Sequence, residues 1–286
     1  MKRTTTAILA LLAASPALAE GTVSVLTWEG YADPSFITQF EEESGCKVSA
    51  TYVGSNDDFA PKLMAGGGVY DLITPSIDTT ALMIDLGLVE PLDTAAIAGW
   101  NDIYPKFLEQ PGIQRDGAHY GMPYSWGAIV FMYRKDAFTT PPTSIADLWS
   151  PDLAGKISLW DDKSAIYVAA RKNGDMDIYN LTDEQIEKAK ATLVEQKPLV
   201  RKYWATAGEL VDLYKAGEVV ISNTWAGYQS SLLAAEGIEV VEFIPTEGAE
   251  GWMDSWMVVK DTPNKECAYK FLNMQSRSRG SAAWPT

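Results

Sequence analysis

Aromatic and acidic side chains recur together along this sequence. Trp28 and Tyr31 stand close to each other, as do Ser76 and Asp78. Trp160 adjoins Asp161 and Asp162, Trp225 precedes Tyr228, and Trp252 precedes Asp254. Such a set suits an ammonium group. A carboxylate supplies counter-charge, and an indole or phenol face supplies negative π density worth about 0.5–2 kcal/mol per contact. The same rings pack against an alkyl stem. A desolvated carboxylate–ammonium pair adds attraction, set against the water that both ions lose. The candidate ligand-binding residues are therefore Trp28, Tyr31, Ser76, Asp78, Asp162, Trp225, Trp252 and Asp254. Each has a plainer reading. Asp162 also reads as a helix N-cap, Asp254 as a turn residue, and Trp225 and Trp252 as core. With ten tryptophans in the chain, one alone says little.

The elements that must hold these groups alternate between strand and helix. Residues 22–28 read as a strand, and Pro34–Ser44 as a helix with Asp33 as its N-cap and Gly45 as its stop. Residues 47–53 read as a strand, 58–65 as a helix ended by Gly66-Gly67-Gly68, and 70–75 as a strand. That order implies a parallel sheet with helices on its faces. A second series follows. Its strands are expected at 129–134, 156–160, 219–223, 240–243 and 255–259. Its helices are expected at 164–171, 182–195, 209–216 and 264–274, with Thr182 and Gln185 forming a capping box. Two such units predict an α/β fold in two lobes. All the aromatic–acidic groups except the last sit at the carboxyl end of a strand, where open α/β sheets bind ligands. A cleft between the lobes is the expected site. Asp162 stands where a helix begins. An anion binder would show Ser, Thr, Gly or Arg there.

Composition narrows the function further. Lys2 and Arg3, an apolar stretch from Ala7 to Ala14 and the Ala17-Leu18-Ala19 tripeptide read as a signal peptide, residues 1–19, cut after Ala19. The formal net charge is −15, and loss of Lys2 and Arg3 makes it more negative. An acidic chain is a poor partner for nucleic acid and for anionic lipid. It mildly favours a cationic one. Cys46 and Cys267 are the two cysteines. In an oxidising compartment they either form a disulfide tying the two ends of the chain together or remain two buried thiols. Together with the single His119 they leave little for a zinc site. No phosphate loop and no Gly-x-Ser-x-Gly elbow occurs. Asp161 and Asp162 are strand neighbours that point to opposite faces. No cofactor is implied, and an enzyme is not expected. An exported hydrolase is the disfavoured alternative.

Several segments resemble the periplasmic spermidine/putrescine-binding proteins of ABC transporters. They are Leu26-Thr27-Trp28-Glu29-Gly30-Tyr31, Tyr70-Asp71-Leu72-Ile73-Thr74-Pro75-Ser76 and Gly121-Met122-Pro123-Tyr124-Ser125-Trp126-Gly127. Ala146-Asp147-Leu148-Trp149, Leu153-Ala154-Gly155-Lys156, Trp160-Asp161-Asp162, Asn223-Thr224-Trp225 and Gly251-Trp252-Met253-Asp254-Ser255 follow in order. The resemblance implies the periplasmic-binding-protein fold, two lobes joined by crossover strands and closing on ligand. Lobe one is expected at residues 20–124 and 253–286, and lobe two at 125–252. It implies that Trp and Tyr sandwich an alkyl chain while Asp162 and Asp254 pair with amino groups. The implied partners are a small cationic amine and a membrane permease, and the protein is expected to work as a monomer in the periplasm. Two departures stand out. Ala165 replaces a further carboxylate of the family pattern, and Asp78 replaces an aromatic, so one amine anchor is missing or moved to Asp78 or Glu29. Family chains also run some tens of residues past Trp284-Pro285-Thr286, which leaves either a fragment or a trimmed lobe. Another amine, an amino acid such as 4-aminobutyrate, a betaine and a sugar are alternative ligands, and a sensor subunit is an alternative role.

Overall fold

The computed structural model describes residues 21–66 and 68–277. The expected signal peptide, Gly67 and the last nine residues lie outside the described residues. The first elements are β1 (Gly21–Thr27), α1 (Pro34–Ser44), β2 (Cys46–Tyr52), α2 (Phe59–Gly66), β3 (Leu72–Ile73), α3 (Ile77–Asp85), β4 (Val89–Glu90) and α4 (Pro105–Leu108). A small hairpin, β5 (Gln114–Arg115) and β6 (Ala118–His119), precedes the long β7 (Gly121–Arg134). Then come β8 (Ile157–Trp160), α5 (Ser164–Lys172), α6 (Asp183–Gln196), β9 (Val200–Trp204), α7 (Ala207–Lys215), β10 (Ile221–Trp225), α8 (Tyr228–Ala235), β11 (Val240–Phe243), β12 (Glu250–Val259) and α9 (Lys265–Arg277).

The main sheet runs β2-β1-β3-β12-β7-β10-β8-β9. β1 pairs in parallel with β2 and β3 on one side of the molecule. β8 pairs in parallel with β9 and β10 on the other. Between the two parallel sets lie β7 and β12, an antiparallel pair matched from Glu250↔Ile129 to Met257↔Gly121. The fold is thus α/β in two lobes, with β7 and β12 running through both. Val23, Val25 and Leu26 of β1 are fully buried. Burial of each contributes about 1.5–3 kcal/mol. Helices cover both faces of such a sheet, so its strands read as near-continuous apolar runs.

Local chemistry sets the helix ends. Asp33 accepts a hydrogen bond from the Ser35 N–H, and Gly45 closes α1 at φ 71°, a left-handed conformation that glycine adopts without a Cβ penalty. Thr182 and Gln185 make a reciprocal capping box on α6. Cys46 and Cys267 form a disulfide with Cα atoms 5.8 Å apart, joining β2 to α9. A Cβ on Gly21 would lie 2.7 Å from Cys267 Sγ, so the first strand passes close beside that bond.

The structure departs from the expected elements in the two shared strands. β7 begins at Gly121 and β12 at Glu250, well before the expected 129 and 255. Gly121, Pro123, Gly127 and Gly251 are weak strand formers on their own. Mutual pairing overrides that preference, as tertiary context does in sheets. β9, α3 and α8 form where the sequence patterning predicts no element. The pairing of β12 with β7 shifts register between Asp254 and Ser255. Bulges of this kind re-aim side chains beside functional sites.

Candidate ligand-binding site

Asp254 sits at that bulge and is buried. Its carboxylate accepts from the Tyr31 hydroxyl at 2.6 Å and the Ser76 hydroxyl at 2.7 Å. Ser76 occupies the N-cap position of α3, yet its hydroxyl goes to Asp254 instead of the helix. The loop holding Ser76 is drawn in by an isolated bridge between Ser76 and Asp254. Tyr31 is steered by Gly30, at φ 90°, and rests edge-on against Tyr124, ring centres 4.9 Å apart. Burial raises the Asp254 carboxyl to about 7. The Ser76 and Tyr31 hydrogen bonds pull it down, and the charge of Asp78 pushes it up. Burial and the adjacent Asp254 hold the Tyr31 hydroxyl well above its usual range.

Asp162 follows β8 and is also buried. It accepts from the Ser164 N–H, the Ser55 hydroxyl and the Asn56 N–H, each at 2.8 Å. Ser55 and Asn56 belong to the segment after β2, so this carboxylate bridges the lobes. Asn56 then accepts from the Ser76 N–H at 3.0 Å. Asp162, Asn56, Ser76 and Asp254 therefore form one continuous polar chain. Burial raises the Asp162 carboxyl, and its three hydrogen bonds offset part of that rise. A carboxylate has about four acceptor directions, so these three bonds leave one open.

The rings form a second layer. Trp28, anchored by its indole N–H on the Thr74 carbonyl at 2.8 Å, meets Trp225 and Trp160 edge-on, with centres 5.7 and 6.0 Å apart. Trp160 stacks on Trp204 at 5.5 Å. The buried Trp225 indole nitrogen has no hydrogen-bond partner among the described residues. Trp252 lies on Gly127, its directly paired neighbour on β7, where a Cβ would come within 2.7 Å of the indole.

Asp78 stands in the first turn of α3 and pairs with Lys163 at 3.1 Å. It also accepts from the Tyr167 hydroxyl at 3.0 Å. Glu29 is half-buried, and burial raises its carboxyl while the Gly208 N–H draws it down.

Sequence reasoning missed Glu250, Asn56 and Lys163. Glu250 accepts from the Ser164 hydroxyl, and burial raises it to about 8. The charges of Asp162 and Asp78 add to the rise, and Lys163 opposes it. Along regular β12, Glu250, Trp252 and Asp254 share one face. The Cα atoms of the two acids are about 13 Å apart at ~3.3 Å per residue, with Trp252 between them in sequence. The i, i+2, i+4 alternation carried this signal, but it is visible only once the strand is known to begin at Glu250. The arrangement can accept an extended chain with an ammonium near either end. Among the described residues, no group of three or more His, Cys, Asp or Glu is placed to hold a metal ion. No described helix is long and apolar enough to cross a membrane.

The family model of bacterial extracellular solute-binding proteins matches residues 35–284. The chain belongs to that family. This binding protein is 30% identical over 271 residues to the spermidine/putrescine-binding periplasmic protein of Salmonella typhimurium, covering 93% of this chain and 76% of the relative. It is also similar to the PotD substrate-binding protein of a spermidine/putrescine ABC transporter from Streptococcus pneumoniae. That match has a TM-score of 0.69 and 27% identity, over 90% of this chain and 78% of the other. The TpPotD lipoprotein of Treponema pallidum shares the fold, with a TM-score of 0.77 and 22% identity over 90% and 80% of the two chains. The function of the binding protein is therefore solute capture, and not enzymatic turnover.

Proposed function

We propose that this binding protein captures a small polyamine such as putrescine or spermidine in the periplasm and delivers it to the membrane permease of an ABC importer. The observation that carries the reading is Asp254, a buried carboxyl held by Tyr31 and Ser76, near the charge of Asp78, and paired with no cation among the described residues. An ammonium there would ionise it and be neutralised by it. In this reading Trp28, Trp225 and Trp252 line the alkyl chain. Tyr31 and Ser76 orient Asp254, and Asp162 takes a polar contact while bridging the lobes. Asp78 enters as the partner of Lys163.

The proposed lobes are residues 20–124 with 253–286, and 125–252. Closure is a hinge motion biased by ligand contacts to both. Export through a signal peptide cut after Ala19, a monomeric state and no affinity for nucleic acid complete the proposal. The relatives named above support it by the ligands in their own names.

A single-ammonium ligand, such as an amino acid or a betaine, is the second reading. Ala165 favours it, because α5 carries no carboxylate in its first turn. A thermal-shift panel of putrescine, spermidine, 4-aminobutyrate, betaine and sugars separates the two, since a ligand bound only by the native state raises the melting temperature. Stabilisation by neither polyamine would overturn the first reading.

A further inference from the structure

The geometry points to Lys163 as a built-in ammonium that occupies the Asp78 carboxylate when the lobes are closed, and so sets how many ligand nitrogens the cleft accepts. The inference rests on the amine reading above and names the residue that would select among amines. Lys163 lies between β8 and α5, in one lobe. Asp78 lies on α3, in the other. The Lys163 ammonium is 3.1 Å from the Asp78 carboxylate, also donates to the Thr79 hydroxyl, and lies 3.5 Å from the Asp78 carbonyl. Tyr167 holds the same Asp78 carboxylate from α5.

The pair is shielded. Only 23% of the Lys163 side chain and 10% of that of Asp78 meets solvent. It also faces the proposed ligand. The charge of Asp78 is felt by both Asp254 and Glu250, and the charge of Lys163 is felt by Glu250. An ammonium that meets a carboxylate, a hydroxyl and a carbonyl has the surroundings a ligand nitrogen would seek, supplied from within the chain. With its charge already met by Lys163, Asp78 offers a ligand nitrogen little attraction unless Lys163 is displaced. Glu250 and Asp254 are left for the ligand, and a third ligand nitrogen finds no free acid at α3. Closure therefore favours a diamine over a triamine.

Calorimetric titration of the full chain with putrescine and with spermidine tests this, using the unmodified protein, Lys163→Met, Lys163→Gln and the double variant Lys163→Met/Asp78→Asn. The spermidine-to-putrescine affinity ratio should rise on the order of tenfold in Lys163→Met and Lys163→Gln, the scale of one charged hydrogen bond. It should return to the unmodified value in the double variant. An unchanged ratio in both single variants, or an equal change for both amines, overturns the assignment. If the unmodified protein binds neither amine, the amine reading itself fails. The role of Lys163 is then decided by whether either single variant gains affinity for spermidine, and no gain overturns it.

Discussion

Gly54 and the Ala205 carbonyl meet backbone to backbone across the two lobes, and a Cβ on Gly54 would lie 2.0 Å from that oxygen. The Trp160 indole N–H donates to the Gly54 carbonyl at 2.7 Å, so the contact is pinned from both directions. Real Cβ atoms do not approach an oxygen this closely. Gly54→Ala should therefore hold the lobes apart. Polyamine affinity is expected to fall by about tenfold or more, since a ligand binds a less-populated closed state more weakly. Solution X-ray scattering should show a larger radius of gyration in saturating putrescine than the unmodified protein shows. Full affinity in Gly54→Ala would mean that the lobes need not meet here.

Asp254→Asn keeps the shape and removes the charge. Loss of one charged hydrogen bond costs about 1.5–3 kcal/mol, or roughly 10- to 100-fold in affinity. The Tyr31 and Ser76 hydroxyls donate to different oxygens of Asp254. The amide oxygen keeps one of these bonds, and the other hydroxyl must turn to accept from the amide nitrogen, so melting temperature should fall modestly. Calorimetry with putrescine checks the first expectation and unfolding curves the second.

Acidity carries a sign that can be measured. Asp254 titrates at about 7 and Glu250 at about 8 in the fold, against about 4 for an unfolded carboxyl. Between those limits the native state holds protons that the unfolded chain releases. Unliganded stability should therefore fall as pH rises from about 4 through 8. Amine binding favours the ionised carboxyls, so it should release protons and tighten over pH 6 to 8. The gain should be at most about tenfold per pH unit for each group. Titrations in buffers of different ionisation heat count the protons released. Glu250→Gln and Asp254→Asn should each flatten the pH slope.

The disulfide should matter for stability and little for binding. It closes a loop with a sequence separation of 221 residues and lies at the β2–α9 contact, away from the acids. Replacing Cys46 and Cys267 by Ser should cost about 2–5 kcal/mol. Thermal unfolding should move down by several degrees, as should that of the unmodified protein in a strong reductant. Putrescine affinity at low temperature should be retained.

The indoles offer an optical readout. Trp28 meets both Trp160 and Trp225 across the lobes. An ammonium or alkyl stem reaching that cluster changes its polarity. Putrescine should shift tryptophan emission in the unmodified protein, and Trp225→Ala should lose most of that signal and on the order of tenfold in affinity, the scale of one cation–π contact. A ligand-induced shift that survives intact in Trp225→Ala would place the amine elsewhere.

Chemistry confined to a few neighbouring residues is readable from the chain. The Asp33 cap, the Gly45 stop and the Thr182–Gln185 box need only their own turn of helix. Pairing between distant segments is less readable. The first halves of β7 and β12 are strands because each serves as partner to the other, and their glycines and Pro123 argue against strand when read alone. That hid Glu250, which joins the candidate site only once it is on the face that carries Trp252 and Asp254. Lys163 was hidden for a different reason. An isolated lysine beside a helix start reads as solvated surface, and only the closed lobes bring it to Asp78. Tyr31, Ser76 and Asp254 converge from three distant segments. Their residue types suggest ammonium chemistry, but their hydrogen bonds to one another are not legible in the chain.

β3 bonds to β1 along one side and to β12 along the other. The opening three strands are thus synthesised long before the segment that covers their flank. Until β12 is in place that flank is an uncovered edge, and bare edges recruit foreign strands. Arrival of β12 and α9, locked down by the Cys46–Cys267 bond, ends that exposure. Chains that stop short of β12 should be the ones that aggregate or fall to proteases, however well their other lobe has folded.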